Sequence, residues 1–336
     1  MVIDFKCPQC GGGMEYDSEQ GTLMCRSCSF EQRIEDAPEE KTKVVYEDEQ
    51  EFFCNGCGAA IVTEPEVSAT HCPYCGSAVA FRSRLTGQYA PDKVIPFTVS
   101  KEEAKQIYKK WAKNGILTPK DFMTEKRLGE ITGLYVPFWL YDMNVDAKAD
   151  CLCTKKSSRR QGDYIIQETK YYHVYRQANL SYRKVPADAS YEMKDEIMDL
   201  LEPYSYEELT DFHPGYLAGF QAEKYGIDAK GLTGRVEHRL QKYAYDYIKN
   251  SINGYSSVTY QSQDCNVKEL QHYYALLPVW ILHYEYNGKK ESYTMNGQTG
   301  KVVGKPPVSK ARVAKWFSVL YGGSMALLAL LSYLIV

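Results

Sequence analysis

Eight cysteines near the start of the chain are the residues best suited to chemistry. They form four C-x-x-C pairs, and fourteen residues separate the first pair from the second and the third from the fourth. Adding 47 to each position of the first two pairs gives the last two pairs, so the segment is an internal repeat. The eight residues are Cys7, Cys10, Cys25, Cys28, Cys54, Cys57, Cys72 and Cys75.

The spacing predicts two metal sites with four thiolate ligands each. Two C-x-x-C turns can surround one ion in the tetrahedral geometry of zinc, at a Zn–S distance of about 2.3 Å. Four protein ligands leave no open position for water, so both sites are expected to be structural, with two Zn²⁺ ions per chain. Iron is the alternative ion, because four thiolates also bind it.

Other roles for these cysteines are less consistent with the sequence. Residues 1–12 contain no apolar signal segment, and disulfide frameworks belong to oxidising compartments. A redox role for one C-x-x-C pair does not explain four pairs in register. His71 is adjacent to Cys72 and could replace a ligand, but the set of cysteines is complete without it.

The sequence around and after these cysteines predicts an α+β protein with five segments. It has two N-terminal zinc ribbons, a mixed α+β domain with a largely antiparallel sheet, and one C-terminal transmembrane helix. The predicted boundaries are ribbon 1 at 1–33, an acidic linker at 34–50, ribbon 2 at 51–82, the α+β domain at 83–308 and the transmembrane helix at 314–336.

Local signals within the α+β domain predict individual helices and strands. Ser100 and Glu103 form a capping box at the start of a helix that ends near Asn114. Strands are expected at 134–142 and 276–286, and the aromatic–polar alternation of 163–185 predicts two paired strands. A second helix is expected at 234–250.

The last 21 residues, 316–336, contain no charge and predict a membrane anchor. As a helix they would span roughly 32 Å, close to the hydrocarbon thickness of about 30 Å. Five cations precede them, and the positive-inside rule then predicts a membrane location with the bulk of the protein cytoplasmic. The membrane would therefore be one partner of the protein.

Enzyme signatures are absent from the sequence. It contains no phosphate-binding loop, no H-E-x-x-H and no G-x-S-x-G, and its six histidines are scattered. The other three cysteines, Cys151, Cys153 and Cys265, are expected to be structural. We therefore identify no catalytic residue and no further cofactor, although a site built from residues distant in sequence stays open.

Charge is distributed unevenly along the chain and bears on its partners. The first 80 residues carry 5 Lys or Arg against 15 Asp or Glu, whereas the remaining residues carry 35 against 28. Because phosphate contacts require cations, the acidic ribbons disfavour nucleic acid. The favoured function is a zinc-binding, membrane-anchored adaptor that faces the cytosol and binds a protein partner. A nucleic-acid-binding zinc-ribbon protein without helicase activity is the alternative.

Several further segments resemble a known bacterial family, and the resemblance covers nearly the whole chain. They are I-P-F-T-V-S-K-E-E-A at 95–104, L-Y-V-P-F-W-L-Y-D at 134–142, V-P-A-D-A-S at 185–190, Y-L-A-G-F-Q-A-E at 216–223 and N-G-Q-T-G-K-V-V-G at 296–304. Together with the cysteine pairs they resemble Firmicutes-type zinc-ribbon proteins of the transcription factor IIB type. Such proteins are often labelled primosomal helicase-like. The resemblance implies the zinc-ribbon architecture and no established reaction.

Overall fold

A computed structural model describes residues 2–37, 51–54, 57–75, 77–119, 122, 129–286, 289–304 and 306–335. Most of the predicted acidic linker, at 38–50, lies outside these residues. The chain divides into two compact units. The first contains Met1–Val136, Glu192–Lys224 and Leu276–Val336, and the second contains Pro137–Tyr191 and Tyr225–Ala275.

The described residues are rich in β-structure. In chain order the strands are β1 Val2–Asp4, β2 Met14–Asp17, β3 Thr22–Cys25, β4 Glu31–Gln32, β5 Glu51–Phe53, β6 Ala60–Val62, β7 Val67–His71, β8 Ala78–Phe81, β9 Lys93–Val94, β10 Thr132–Gln161, β11 Tyr164–Asp188, β12 Thr210–Asp211, β13 Gln221–Glu223, β14 Ser257–Tyr286, β15 Lys289–Asn296 and β16 Val302–Val303. The α-helices are α1 Lys101–Asn114, α2 Asp195–Leu201, α3 Ala229–Ser251 and α4 Lys310–Ile335.

In the first unit, the cysteines lie on or next to short β-strands. Strands β2, β3 and β4 form one small antiparallel sheet, and β5 pairs with β6 in another. Strand β8 pairs antiparallel with both β1 and β7. Strand β7 pairs with β13, which runs parallel to the start of β10. The segment of the second cysteine group is therefore part of a larger sheet.

Helix α1 confirms the helix predicted from the capping box. The Ser100 hydroxyl accepts from the backbone N–H of Glu103, and the Glu103 carboxylate accepts from that of Ser100. These two bonds satisfy N–H groups that have no partner within the helix. The buried face of α1 includes Ala104 and Tyr108, whose ring packs edge-on against Tyr293 at 5.0 Å.

The second unit is a long β-hairpin packed against a helix. Strands β10 and β11 pair antiparallel from Phe138↔Asp188 to Gln161↔Tyr164, and helix α3 buries its apolar face against the sheet. The predicted helix at 234–250 is confirmed as part of α3. The prediction of two paired strands within 163–185 is wrong. This segment is one strand, and its partner is β10, because the turn lies at Gly162, where φ is 65°.

The predicted transmembrane helix is also wrong. Within the described part of the chain, no helix combines the length and the apolar character needed to cross a membrane. Helix α4 begins at Lys310, so that Lys310, Arg312 and Lys315 are part of the helix itself. The predicted membrane partner and membrane location rested on this helix and are overturned with it.

Candidate metal centres

The structure brings the eight N-terminal cysteines together as two groups of four. Cys7, Cys10, Cys25 and Cys28 form the first group, and Cys54, Cys57, Cys72 and Cys75 form the second. Within each group, all four sulfur atoms lie within 4.8 Å of one another. In both, the first cysteine of each C-x-x-C pair is buried and the second is exposed.

The distances between sulfur atoms fit a tetrahedral ion. Sγ atoms are 3.6 Å apart in Cys7/Cys28 and 3.5 Å apart in Cys10/Cys25 of the first group. The corresponding distances in the second group are 3.7 Å and 3.8 Å. A tetrahedron with Zn–S bonds of about 2.3 Å has edges of about 3.8 Å. Each group could therefore hold a zinc ion.

The same backbone turn presents the sulfur atoms in both groups. The N–H of Cys7 donates to the carbonyl five residues later, at 2.7 Å, and the N–H of Gly11 donates back to the Cys7 carbonyl at 2.9 Å. Cys25 and Cys54 begin turns with the same two hydrogen bonds. The residue four positions after the first cysteine is left-handed in all three turns, namely Gly11, Ser29 and Gly58, with φ of 72°, 57° and 74°. This conformation favours glycine.

Replacing Gly11 by alanine should weaken the first centre through the backbone alone. A Cβ there would meet no atom within 4 Å, so the expected loss of about 1–2 kcal/mol comes from the left-handed φ of 72°. The matched control is Gly13→Ala, where a Cβ also enters open space but φ is not left-handed. Competition with a chromogenic chelator measures the affinity for zinc. Equal losses in the two variants would contradict the backbone explanation.

Hydrogen bonds favour the thiolate form of one cysteine in each group. A bond from the backbone N–H of Cys28 is the largest of several effects that lower the pKa of Cys25 to about 6. Hydrogen bonding by Ser77 likewise lowers the pKa of Cys75 to about 6. Zinc binds the thiolate, and in the same two groups the pKa of Cys28 and the pKa of Cys57 are raised to about 12, so the lowered pKa belongs to one thiol of each group.

A buried arginine holds the strands around the second group. Arg84 is fully buried, and its Nη1 donates to Thr63 Oγ1 at 2.7 Å, to the Glu64 carbonyl at 2.7 Å and to the Val67 carbonyl at 2.6 Å. Its guanidinium also lies 5.0 Å and 5.4 Å from the ring centroids of Phe52 and Phe81. One side chain therefore joins the β6–β7 loop to the small apolar core beside the ligands. The sequence contained no motif that identified this residue.

The first group is held against the rest of the first unit by strand β2. The N–H of Tyr16 donates to the Ala218 carbonyl at 2.8 Å, and its ring packs edge-on against Tyr216 at 5.5 Å. A cleft of about 550 Å³ adjoins this contact. Its walls include four carboxylates against the side chains of Arg26 and Lys101, and burial lowers the pKa of the Lys101 ammonium. This surface is therefore unsuited to phosphate.

The other histidine and cysteines that the sequence singled out are not part of the two cysteine groups. His71 ends strand β7 and is not one of the four residues of the second group. Burial lowers the pKa of its imidazole. Cys151 and Cys153 are completely buried in the core of the second unit, and Cys265 packs against that core. Their surroundings agree with a structural role.

Comparison with known proteins places the chain in a family. It is 46% identical over 334 residues to the uncharacterized protein YdjG of Bacillus subtilis (strain 168), and the match covers 99% of this chain and 98% of that protein. The chain belongs to the YdjG family. The name of this relative refers to neither a transcription factor nor a helicase.

Two other comparisons gave no match. No family model matches the chain, and no solved structure matches it. The similarity to YdjG therefore extends over the whole length without supplying an activity. The two cysteine groups fit zinc ribbons, and a zinc ion in each is the chemistry that the arrangement supports.

Proposed function

We propose that this protein is a zinc-stabilised adaptor that binds an apolar helix of a partner protein. The eight cysteines act as the ligands of two zinc ions, four for each ion. Four thiolates complete the coordination of zinc, so that each ion supplies folding energy rather than a reactive water molecule.

The observation that carries the proposal is the exposed apolar surface of helix α4. Its contacts with the rest of the first unit include Arg312, which donates to the carbonyls of Ile116 and Thr118. Further along, large apolar side chains are mostly between 44% and 68% exposed. They are Trp316, Phe317, Val319, Leu320, Tyr321, Met325, Leu327, Leu328 and Leu331. Contiguous apolar surface of this kind is typical of a binding site for another protein.

A helix is the partner element that fits this surface best. Burying apolar side chains gains about 25 cal/mol for each Å² removed from water, and a second helix covers a helical face along its length. A Cβ at Gly322 or Gly323 would meet no atom within 4 Å, so the middle of α4 allows another backbone to come close. Leu320 and Leu327 are seven residues apart and share one face.

The test compares proteins captured from cells by the tagged full-length chain and by a Leu320→Ser/Leu327→Ser variant. We expect a stoichiometric partner to be at least about tenfold depleted with the variant, because two buried contacts at the helix interface are lost. Leu200→Ser/Leu270→Ser is the control, since these leucines are 58% and 45% exposed outside α4. Capture of the same proteins in the same amounts by all three chains would reject the proposal.

A further inference from the structure

The tip of the β10–β11 hairpin is an exposed arm, which we define as residues 155–173. Every residue in this range is exposed, on both faces of the hairpin. Contact with the segment before β14 occurs at its base, where the Ser256 N–H donates to the Thr154 carbonyl at 2.6 Å. From Lys155 to Gln161 the strand extends about 20 Å. The arm is therefore accessible to a large ligand.

The arm is basic, in contrast to the acidic ribbons. It carries five cations, Lys155, Lys156, Arg159, Arg160 and Lys170, against two carboxylates, Asp163 and Glu168. Lys155 and Lys170 are directly opposite in the register. Like charges in such a cross-strand pair destabilise a sheet. A polyanion bound to the arm would remove this repulsion.

One face of the arm combines three of these cations with aromatic rings. Residues that alternate along β10 share a face with their cross-strand partners on β11, which places Lys155, Arg159, Tyr164, Lys170 and Tyr172 together. Glu168 is on the same face and lies 3.6 Å from Lys170 Nζ, but such an exposed ion pair contributes little and leaves the lysine accessible. Lys155 Nζ lies 5.7 Å from the ring centroid of Tyr172 and 5.3 Å from that of Tyr255, and the two rings are 5.6 Å apart. Tyr164, at the last pair before the turn, is 78% exposed.

We propose that this face of the arm binds single-stranded nucleic acid. Lysine and arginine would neutralise phosphates, and the exposed tyrosine rings would stack on bases, which are accessible only where the strands are separated. An acidic protein surface would also be attracted to these cations. Exposed rings beside a row of cations, however, are the combination that binds phosphates and bases together. The arm belongs to the second unit, whereas α4 and the zinc ribbons belong to the first.

The experiment measures binding of the full-length, zinc-loaded protein to labelled 20-nucleotide single-stranded DNA and RNA by fluorescence anisotropy at several salt concentrations. In the Arg159→Gln/Lys170→Gln variant, the slope of log K against log salt should become shallower by about 1.4, because each lost phosphate contact contributes about 0.7. Tyr164→Ala should bind at least about fivefold more weakly, because a stacked base is lost. Lys242→Gln/Lys249→Gln, which removes two exposed cations from α3, is the charge control.

All variants are first checked for two zinc ions per chain and for an unchanged melting temperature, since the arm lies outside the cores. Binding by the wild type that falls in the arm variants and persists in the control supports the proposal. Three results would overturn it: no binding at 50 mM salt, equal affinity of arm and control variants, or binding of duplex DNA at least as tight as that of single strands.

Discussion

Replacing Cys72 by serine should reduce the zinc content of the purified protein from two ions per chain to one. Cys72 is 2% exposed, and its Sγ lies 3.8 Å from that of Cys57, so a hydroxyl in its place leaves three thiolates and an incomplete tetrahedron. The first group should keep its ion, because its four ligands belong to a separate cluster. Elemental analysis of protein purified with added zinc measures the ratio.

The loss of this ion should also unfold the strands around it. Zinc binding contributes about 10–16 kcal/mol to folding in small zinc modules, and the local core of the second group contains few side chains besides its cysteines. Because Cys72 directly follows β7 and precedes β8, hydrogen exchange should accelerate in both strands. Cys28→Ser should likewise leave one ion but spare β7 and β8, since Cys28 belongs to the first group.

Cys265→Ser is the matched control, because Cys265 is a partly buried cysteine outside both groups. It should retain two zinc ions and normal exchange in β7 and β8. Two ions in the Cys72→Ser protein would contradict its role as a ligand. One ion in the wild type, or iron in place of zinc, would contradict the interpretation of the repeat itself.

The features that the sequence predicted correctly depend on residues close to one another in the chain. The capping box at Ser100 and the C-x-x-C pairs depend on groups within four positions of one another, so their local geometry follows from residue type. The alternation at 163–185 also indicated β-structure correctly, but the pairing was wrong. Alternation reports which side chains share a face, whereas the partner strand depends on where the turn falls.

The features that the sequence did not reveal depend on contacts between distant segments. Asp142 illustrates this limit, because its spacing with Asp146 and Asp150 suggests a solvated face. It is instead buried and accepts hydrogen bonds from the Lys184 N–H and from Gln271, 42 and 129 residues away. The C-terminal helix shows a different limit. Its uncharged run begins at residue 316, but the helix itself begins at Lys310, and an uncharged run alone does not define where a helix begins.

Replacing Arg84 by methionine should weaken the second zinc centre without changing any ligand. Methionine can fill most of the space of the arginine stem, but it cannot donate to Thr63, Glu64 or Val67. Hydrogen bonds from charged groups contribute about 1.5–3 kcal/mol each. We therefore expect a loss of about 3 kcal/mol or more in the local stability of this segment, after allowing for water that reaches the loop carbonyls.

The measurement is hydrogen exchange in β7 and β8 of the zinc-loaded protein, together with the rate at which a chelator removes the second ion. Arg84→Lys separates charge from shape, because lysine keeps a cation but lacks the planar guanidinium that lies beside the Phe52 and Phe81 rings. Its effect should be intermediate. Arg33→Met is the control, since Arg33 is exposed on the segment after β4.

The outcome distinguishes two explanations of the stability of the second centre. If zinc alone fixes this segment, Arg84→Met should exchange and release zinc like Arg33→Met, because all four ligands are intact. If the buried guanidinium supports the loop, the second ion should leave faster while the first is retained. We expect the latter, because a fully buried cation is costly unless the three bonds and two aromatic faces around it stabilise the folded segment.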